Sequence, residues 1–142
     1  MTGGTGHVHI GYGSVFNNQA GATFDIQNNV PILYAGGTPA MFNNAGTFVK
    51  SAGAGISLIG GVTQFINTGT VEVQSGALRF NDGSFTQTDG TAILNGGELG
   101  SSTMLDFQGG SLTGSGTVAA DVDSAGEVSP GLSAGTINIT GS

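Results

Sequence analysis

The chain has 142 residues, of which 28 are glycine and only 8% are charged, and its two bases face nine acids for a net charge of −7. A nucleic-acid binder needs a basic stripe to displace counterions, and Lys50 and Arg79 alone cannot form one. With 37% apolar residues and no cysteine, charge-driven disorder, a disulfide framework and a thiolate metal site are excluded too.

The chain opens on Met1-Thr2-Gly3-Gly4-Thr5-Gly6, which lacks the basic region and apolar core of a signal peptide. No apolar run approaches the roughly 18 residues of a membrane-spanning helix. We read residues 1–142 as one module, a segment of a longer exported chain, with an irregular first coil over residues 1–15.

From Phe16 a phrase recurs: Phe, one residue, an amide, a short spacer, then Gly with Thr or Ala. It reads Phe16-Asn17-Asn18-Gln19-Ala20-Gly21-Ala22, Phe42-Asn43-Asn44-Ala45-Gly46-Thr47, Phe65-Ile66-Asn67-Thr68-Gly69-Thr70 and Phe85-Thr86-Gln87-Thr88-Asp89-Gly90-Thr91. The phenylalanines step by 26, 23 and 20 residues, and 22 more reaches Phe107. Gly116-Thr117 and Gly135-Thr136 read as degenerate later copies. A period of this size is the mark of a solenoid.

Strands follow each phrase. Thr23-Phe24-Asp25-Ile26, Phe48-Val49-Lys50, Val71-Glu72-Val73 and Val118-Ala119-Ala120-Asp121-Val122 are short, and several alternate apolar with polar. A second short strand comes next in each period: Ile56–Ile59, Leu78–Phe80 and Glu98-Leu99. Turn signals such as Ser75-Gly76 and Asn81-Asp82-Gly83 separate them. No stretch carries a 3.6-residue apolar stripe, so no helix is expected.

An antiparallel sandwich also accepts short strands and Gly-rich turns, but gives no reason for one residue type to return every two dozen positions. A parallel β-solenoid does, because equivalent residues of successive coils lie about 4.7–4.9 Å apart, one above another. The expected fold is therefore all-β, a right-handed parallel β-helix of about six coils of 20–26 residues. Its structural ladder comprises Phe16, Phe42, Phe65, Phe85 and Phe107 inside and Asn18, Asn44, Asn67 and Gln87 at a corner. Gly21, Gly46, Gly69 and Gly90 would stand where the backbone needs a positive φ. Low charge fits as well, since like charges at one repeat position would face each other across the ladder.

The phrases Phe42–Phe48 and Phe65–Leu78, and the ending Ser129–Gly141, resemble the repeats of bacterial autotransporter passengers and haemagglutinin-like adhesins, which form right-handed parallel β-helices. The resemblance covers about residues 16–142. It implies an extracellular or cell-surface location and a much longer parent chain, and it carries no catalytic set onto these positions.

Other motifs invite chemistry. Gly131-Leu132-Ser133-Ala134-Gly135 matches the nucleophile-elbow pattern, but no His, Asp or Glu follows it. His7 and His9 share a strand face without an evident third metal ligand. Asp121 and Asp123, with Glu127 beyond and Asp82 and Asp89 near loops, lack the calcium-binding nonapeptide. Asn138-Ile139-Thr140 has the form of a glycosylation sequon. Thr47, Thr70, Thr91, Thr117 and Thr136 read as one threonine file; ice binding would need a second beside it. We therefore expect no enzyme, no cofactor and no metal, but a structural or adhesive module stacking end to end into a stalk or fibre. Its partners would be adjacent coils of a parent chain, other copies, or host and matrix glycans. The alternative is a polysaccharide-binding or polysaccharide-degrading β-helix, with Asp121 and Asp123 as its acids.

Overall fold

The computed structural model describes residues 6–60, 63–131 and 135–141, and among them it holds strands and turns but no helix. The first strand is β1 (Val8–Ile10). The chain then winds through β2 (Val15–Asn18), β3 (Thr23–Ile26) and β4 (Ile32–Tyr34), and returns over itself as β5 (Met41–Asn44), β6 (Thr47–Lys50) and β7 (Ile56–Ile59). The third coil is β8 (Gln64–Asn67), β9 (Thr70–Val73) and β10 (Ala77–Phe80). In the fourth, β11 (Ser84–Gln87) leads into the long β12 (Thr91–Ser101); in the fifth, β13 (Leu105–Phe107) leads into β14 (Ser111–Ala119). The sixth is β15 (Val122–Ser124), β16 (Glu127–Pro130) and β17 (Ile137–Ile139).

Every strand pairs in parallel with its equivalent one coil away, which makes a β-solenoid of about six turns with three faces. The first face stacks β2, β5, β8, β11, β13 and β15. The second stacks β3, β6, β9, the first halves of β12 and β14, and β16; the third stacks β1, β4, β7, β10, the second halves of β12 and β14, and β17. In β12 and β14 the strand runs on round the corner between the second and third faces, with a register shift between Asn95 and Glu98.

Each period thus has three strands where the alternation pattern suggests two. The missed one is the Phe-x-amide phrase itself, four residues long, in which one of the two inward positions is an amide, so apolar and polar residues do not alternate along it. Another difference lies at Val118–Val122, which is not one strand: β14 ends at Ala119, Ala120 and Asp121 turn the corner, and β15 begins at Val122. The alternation spans the corner unbroken because inward and outward positions happen to keep their phase through it.

The core is the tube enclosed by the three faces. Phe42, Phe65 and Phe85 point into it from the first face, Phe48 and Val71 from the second, and Leu78, Leu99 and Val118 from the third, all almost fully buried. A second ring packs beside each first-face ring. Phe48 from the second face lies 5.3 Å from Phe42 and 5.1 Å from Phe65, edge on. One coil later Val71 and Ala92 leave space on the second face, and Phe80 fills it from the third at 5.1 Å from both Phe65 and Phe85. Edge-to-face pairs of this kind contribute roughly 0.5–1.5 kcal/mol each beyond area burial.

Candidate functional site

Repetition builds two side-chain files and one backbone file, and these end at the open rims of the solenoid. Register puts Phe16, Phe42, Phe65 and Phe85 directly over one another. Their ring centroids lie 4.6, 5.0 and 5.8 Å apart and near parallel. Phe107 does not continue this file. Leu105 stands over Phe85, and Phe107 stands over Gln87 in the amide position, from which its tilted ring still reaches within 5.5 Å of Phe85. The 22-residue spacing misleads because the coil keeps the twenty-residue step of Phe65 to Phe85, which brings Leu105 and not Phe107 over Phe85.

Asn18, Asn44, Asn67 and Gln87 form a buried, directional amide ladder. The amide NH2 of Asn18 donates to the Asn44 carbonyl oxygen at 2.8 Å, Asn44 to Asn67 at 2.8 Å, and Asn67 to Gln87 at 3.0 Å. Gln87 closes the ladder on the backbone, donating to Ser111 O at 3.0 Å and Gly109 O at 3.3 Å. Phe107 above it offers no amide to continue the series. Each NH2 also reaches a main-chain oxygen at the corner, as Asn44 does at Thr70 O, 2.8 Å away, so the ladder ties two faces together.

The glycines work by close approach more than by backbone sign. A Cβ on Gly46, Gly69 or Gly90 would sit 2.3, 2.2 or 2.0 Å from a carbonyl oxygen of the coil below, yet only Gly90 has a positive φ (78°). Gly21 has φ 81° but lies outside this file, with nothing within 4 Å of an added Cβ, because the first coil carries extra residues and Ala22 precedes the register of Thr47. The file continues through Gly110 and Gly126. Gly116-Thr117 instead opens the third-face half of β14, and Gly135-Thr136 precedes β17 there.

The hydroxyl file beside it is Thr23, Thr47, Thr70, Thr91 and Ser111, ending at Glu127; Thr117 stands on the third face opposite Glu98. The neighbouring outward positions are Asp25, Val49, Glu72, Ile93, Thr113 and Ser129, so no second threonine file flanks the first.

The two bases play opposite parts. Lys50 is wholly buried at the end of β6, where Nζ donates to Asn28 O and Ala52 O, both at 2.9 Å, and to Asn29 Oδ1 at 3.5 Å. Burial holds its pKa below the ordinary lysine value. Arg79 lies on the outer third face, paired with Glu98 at 2.5 Å and half exposed. It flanks a shallow groove of about 340 Å³ bordered by Ile56, Leu58, Ser101 and Ala119. A second hollow of about 300 Å³, lined by Ser101, Ser102, Asp121 and Thr140, adjoins it.

The acids and histidines are dispersed. Asp121 lies at a corner, while Asp123 lies on the first face directly over Asp106, a like-charge pair on adjacent coils. His7 and His9 contact edge on at 6.2 Å. Among the described residues no group of three His, Cys, Asp or Glu side chains could hold a metal ion, and no helix is long and apolar enough to cross a membrane. The elbow-like Gly131–Gly135 runs through residues 132–134, outside the described residues.

Apolar side chains are exposed on the flank, at Ile56, Leu58 and Met104, and at both rims. At one end Val15 is 56% and Phe16 38% exposed, and at the other Val128 is 41% and Ile139 40% exposed. No family model matches the chain, nor does any curated protein or solved structure.

Proposed function

We propose that the chain is a non-catalytic structural module of a bacterial surface or secreted protein, which propagates a stalk or fibre by adding coils to its ends. The observation that carries this is the pair of open rims. The outer edges of β2 and β3 at one end and of β15 and β16 at the other have a strand on one side only, and Phe16, Val128 and Ile139, exposed there, belong to files that elsewhere run through the core. An unpaired strand edge is a template for another strand, and in a solenoid each coil is stabilised by its neighbours. Further coils of one polypeptide or a second copy would satisfy the same groups.

Sedimentation of the chain over a hundred-fold range of concentration tests this. Species in multiples of one chain are expected, shifted back to the single chain by Phe16→Lys or Val128→Lys; one unchanging species across the range would remove the proposal.

A second reading has one specific support. The two adjoining hollows on the third face form a channel along the rod with serine and threonine hydroxyls, an arginine–glutamate pair and an apolar wall. Such a channel suits a glycan chain better than a compact metabolite. Binding on a glycan array, lost with Arg79→Ala, is the expected result, and an array that stays silent would end it.

A further inference from the structure

The two rims differ by one strand. Among the described residues the first and second faces carry six strands each and the third carries seven, because β1 lies outside β4. Continuing the files from the last coil of one copy to the first coil of the next therefore gives a match on two faces and a conflict on the third.

On the first face, Val122 comes against Phe16, Asp123 against Asn17 and Ser124 against Asn18. The polar contacts have the right sense. The Asn17 carbonyl oxygen already accepts from Asn43 at 2.9 Å, so its NH2 faces the next coil, where the Asp123 carboxylate accepts. The Asn18 NH2 already donates to Asn44, so its carbonyl oxygen is left for the Ser124 hydroxyl, which would turn from its long 3.3 Å bond to Gly126 O. An amide also follows the Asp106–Asp123 pair, where a third acid would repel.

The second face matches too. Glu127 comes against the Thr23 hydroxyl, Val128 against Phe24, and Ser129 against Asp25. No like charges oppose on either face. On the third face, the level that the neighbour's β17 and following residues would take beneath β4 is already filled by β1. Only three register pairs hold β1 there, with Val8 and Ile10 packed against the edge of the core.

We propose that β1 is a removable plug: it occupies the one level of the rim that a second copy of this chain needs in order to add head to tail, so assembly waits on its release. The proposal rests on the end-to-end stacking proposed above. If β1 must leave before a copy can add, the apparent affinity falls by the fraction of chains in which it has left.

The chain contains no cysteine, so a single engineered disulfide can test this in the full chain. His9 and Leu33 are register partners on the outer side of β1 and β4. Adjacent strands lie about 4.8 Å apart, inside the span that a disulfide bridges. In the double variant His9→Cys, Leu33→Cys, oxidised at low concentration, sedimentation should show a single chain at every concentration, and reduction should restore assembly. A second full-length variant, Val8→Asp with Ile10→Asp, expels β1 from the core and should assemble at a concentration at least about ten-fold lower than the parent. Equal assembly of the oxidised and reduced forms would overturn the plug and leave stacking intact. A single chain in every form, the aspartate variant included, would overturn stacking and the plug with it.

Discussion

At the scale of single residues, the glycines and Lys50 show how one residue type can serve different ends. Gly90 and Gly21 share a positive φ, but only Gly90 faces a carbonyl oxygen 2.0 Å from where a Cβ would be. Gly21→Ala should therefore cost only the left-handed penalty, about 1–2 kcal/mol, while Gly90→Ala should cost more than about 3 kcal/mol because two coils must part. Urea unfolding midpoints of the two variants compare them directly, and equal losses would refute the close-approach account. Lys50 is inward by register, in line with Ile26 and Val73, and its ammonium is accommodated only because the corner supplies three oxygens. With its pKa held down by burial, the unfolded chain binds the proton more readily than the folded one. Stability should thus rise as pH climbs from the depressed value to the ordinary one near 10.4. Lys50→Met should remove that rise, and should also cost about 1–3 kcal/mol at Ala52 O, whereas Asn28 O keeps the Ser57 hydroxyl and Asn29 Oδ1 the Gly55 N–H as donors.

Asp25 gives the opposite limb. Partial burial pushes its carboxyl up, but hydrogen bonds from Ser51 at 2.5 Å and Gln27 at 2.6 Å outweigh this and hold it below its ordinary value. Its contribution is present above about pH 3.9 and is lost as pH falls through the depressed pKa. Denaturation midpoints measured from pH 5 to 2 should fall less steeply for Asp25→Asn than for the parent.

At the scale of the strand, the unit of stability is the file, because each strand of three or four residues has too few contacts to stand alone. Asn67 links the ladder on both sides, accepting from Asn44 and donating to Gln87, and also reaches Gly69 O at 3.3 Å. Asn67→Leu keeps the branched shape but leaves the Gln87 oxygen without its donor in the core and takes one acceptor from the Asn44 NH2, which keeps Thr70 O, so a loss of about 1–3 kcal/mol is expected. Thermal unfolding measures it, and a neutral result would mean that water replaces the ladder. The phenylalanine spacing exposes the strand repeat plainly in the sequence up to Phe85. Beyond that Leu105 and Val122 take the inward position, and Phe107, Thr117 and Thr136 stand elsewhere than their spacing suggests. Periodicity reports chain length along the coil, whereas register also depends on how many residues each corner takes, and a corner can gain or lose residues without a change of composition.

At the scale of the whole rod, burial falls toward the ends. Strands β8 to β11 each hold two or three buried residues, while β15, β16 and β17 have no buried residue at all. In a one-dimensional stack, coupling runs through nearest neighbours. Amide hydrogen exchange should therefore be slowest in the third and fourth coils and should quicken toward β15–β17. Uniform protection from end to end would instead mean that the stack opens only as a whole.

Composition and spacing alone were enough to determine a helix-free stack of parallel strands, since only vertical files explain why phenylalanines and amides return at such intervals in a chain so poor in charge. Three things belonged to the tertiary structure: the third strand of each coil, the inward turn of Lys50, and the extra strand that makes the two rims unequal. Each depends on where corners fall, and a corner is decided by packing and hydrogen bonding between coils that are some twenty residues apart in the chain and side by side only when folded.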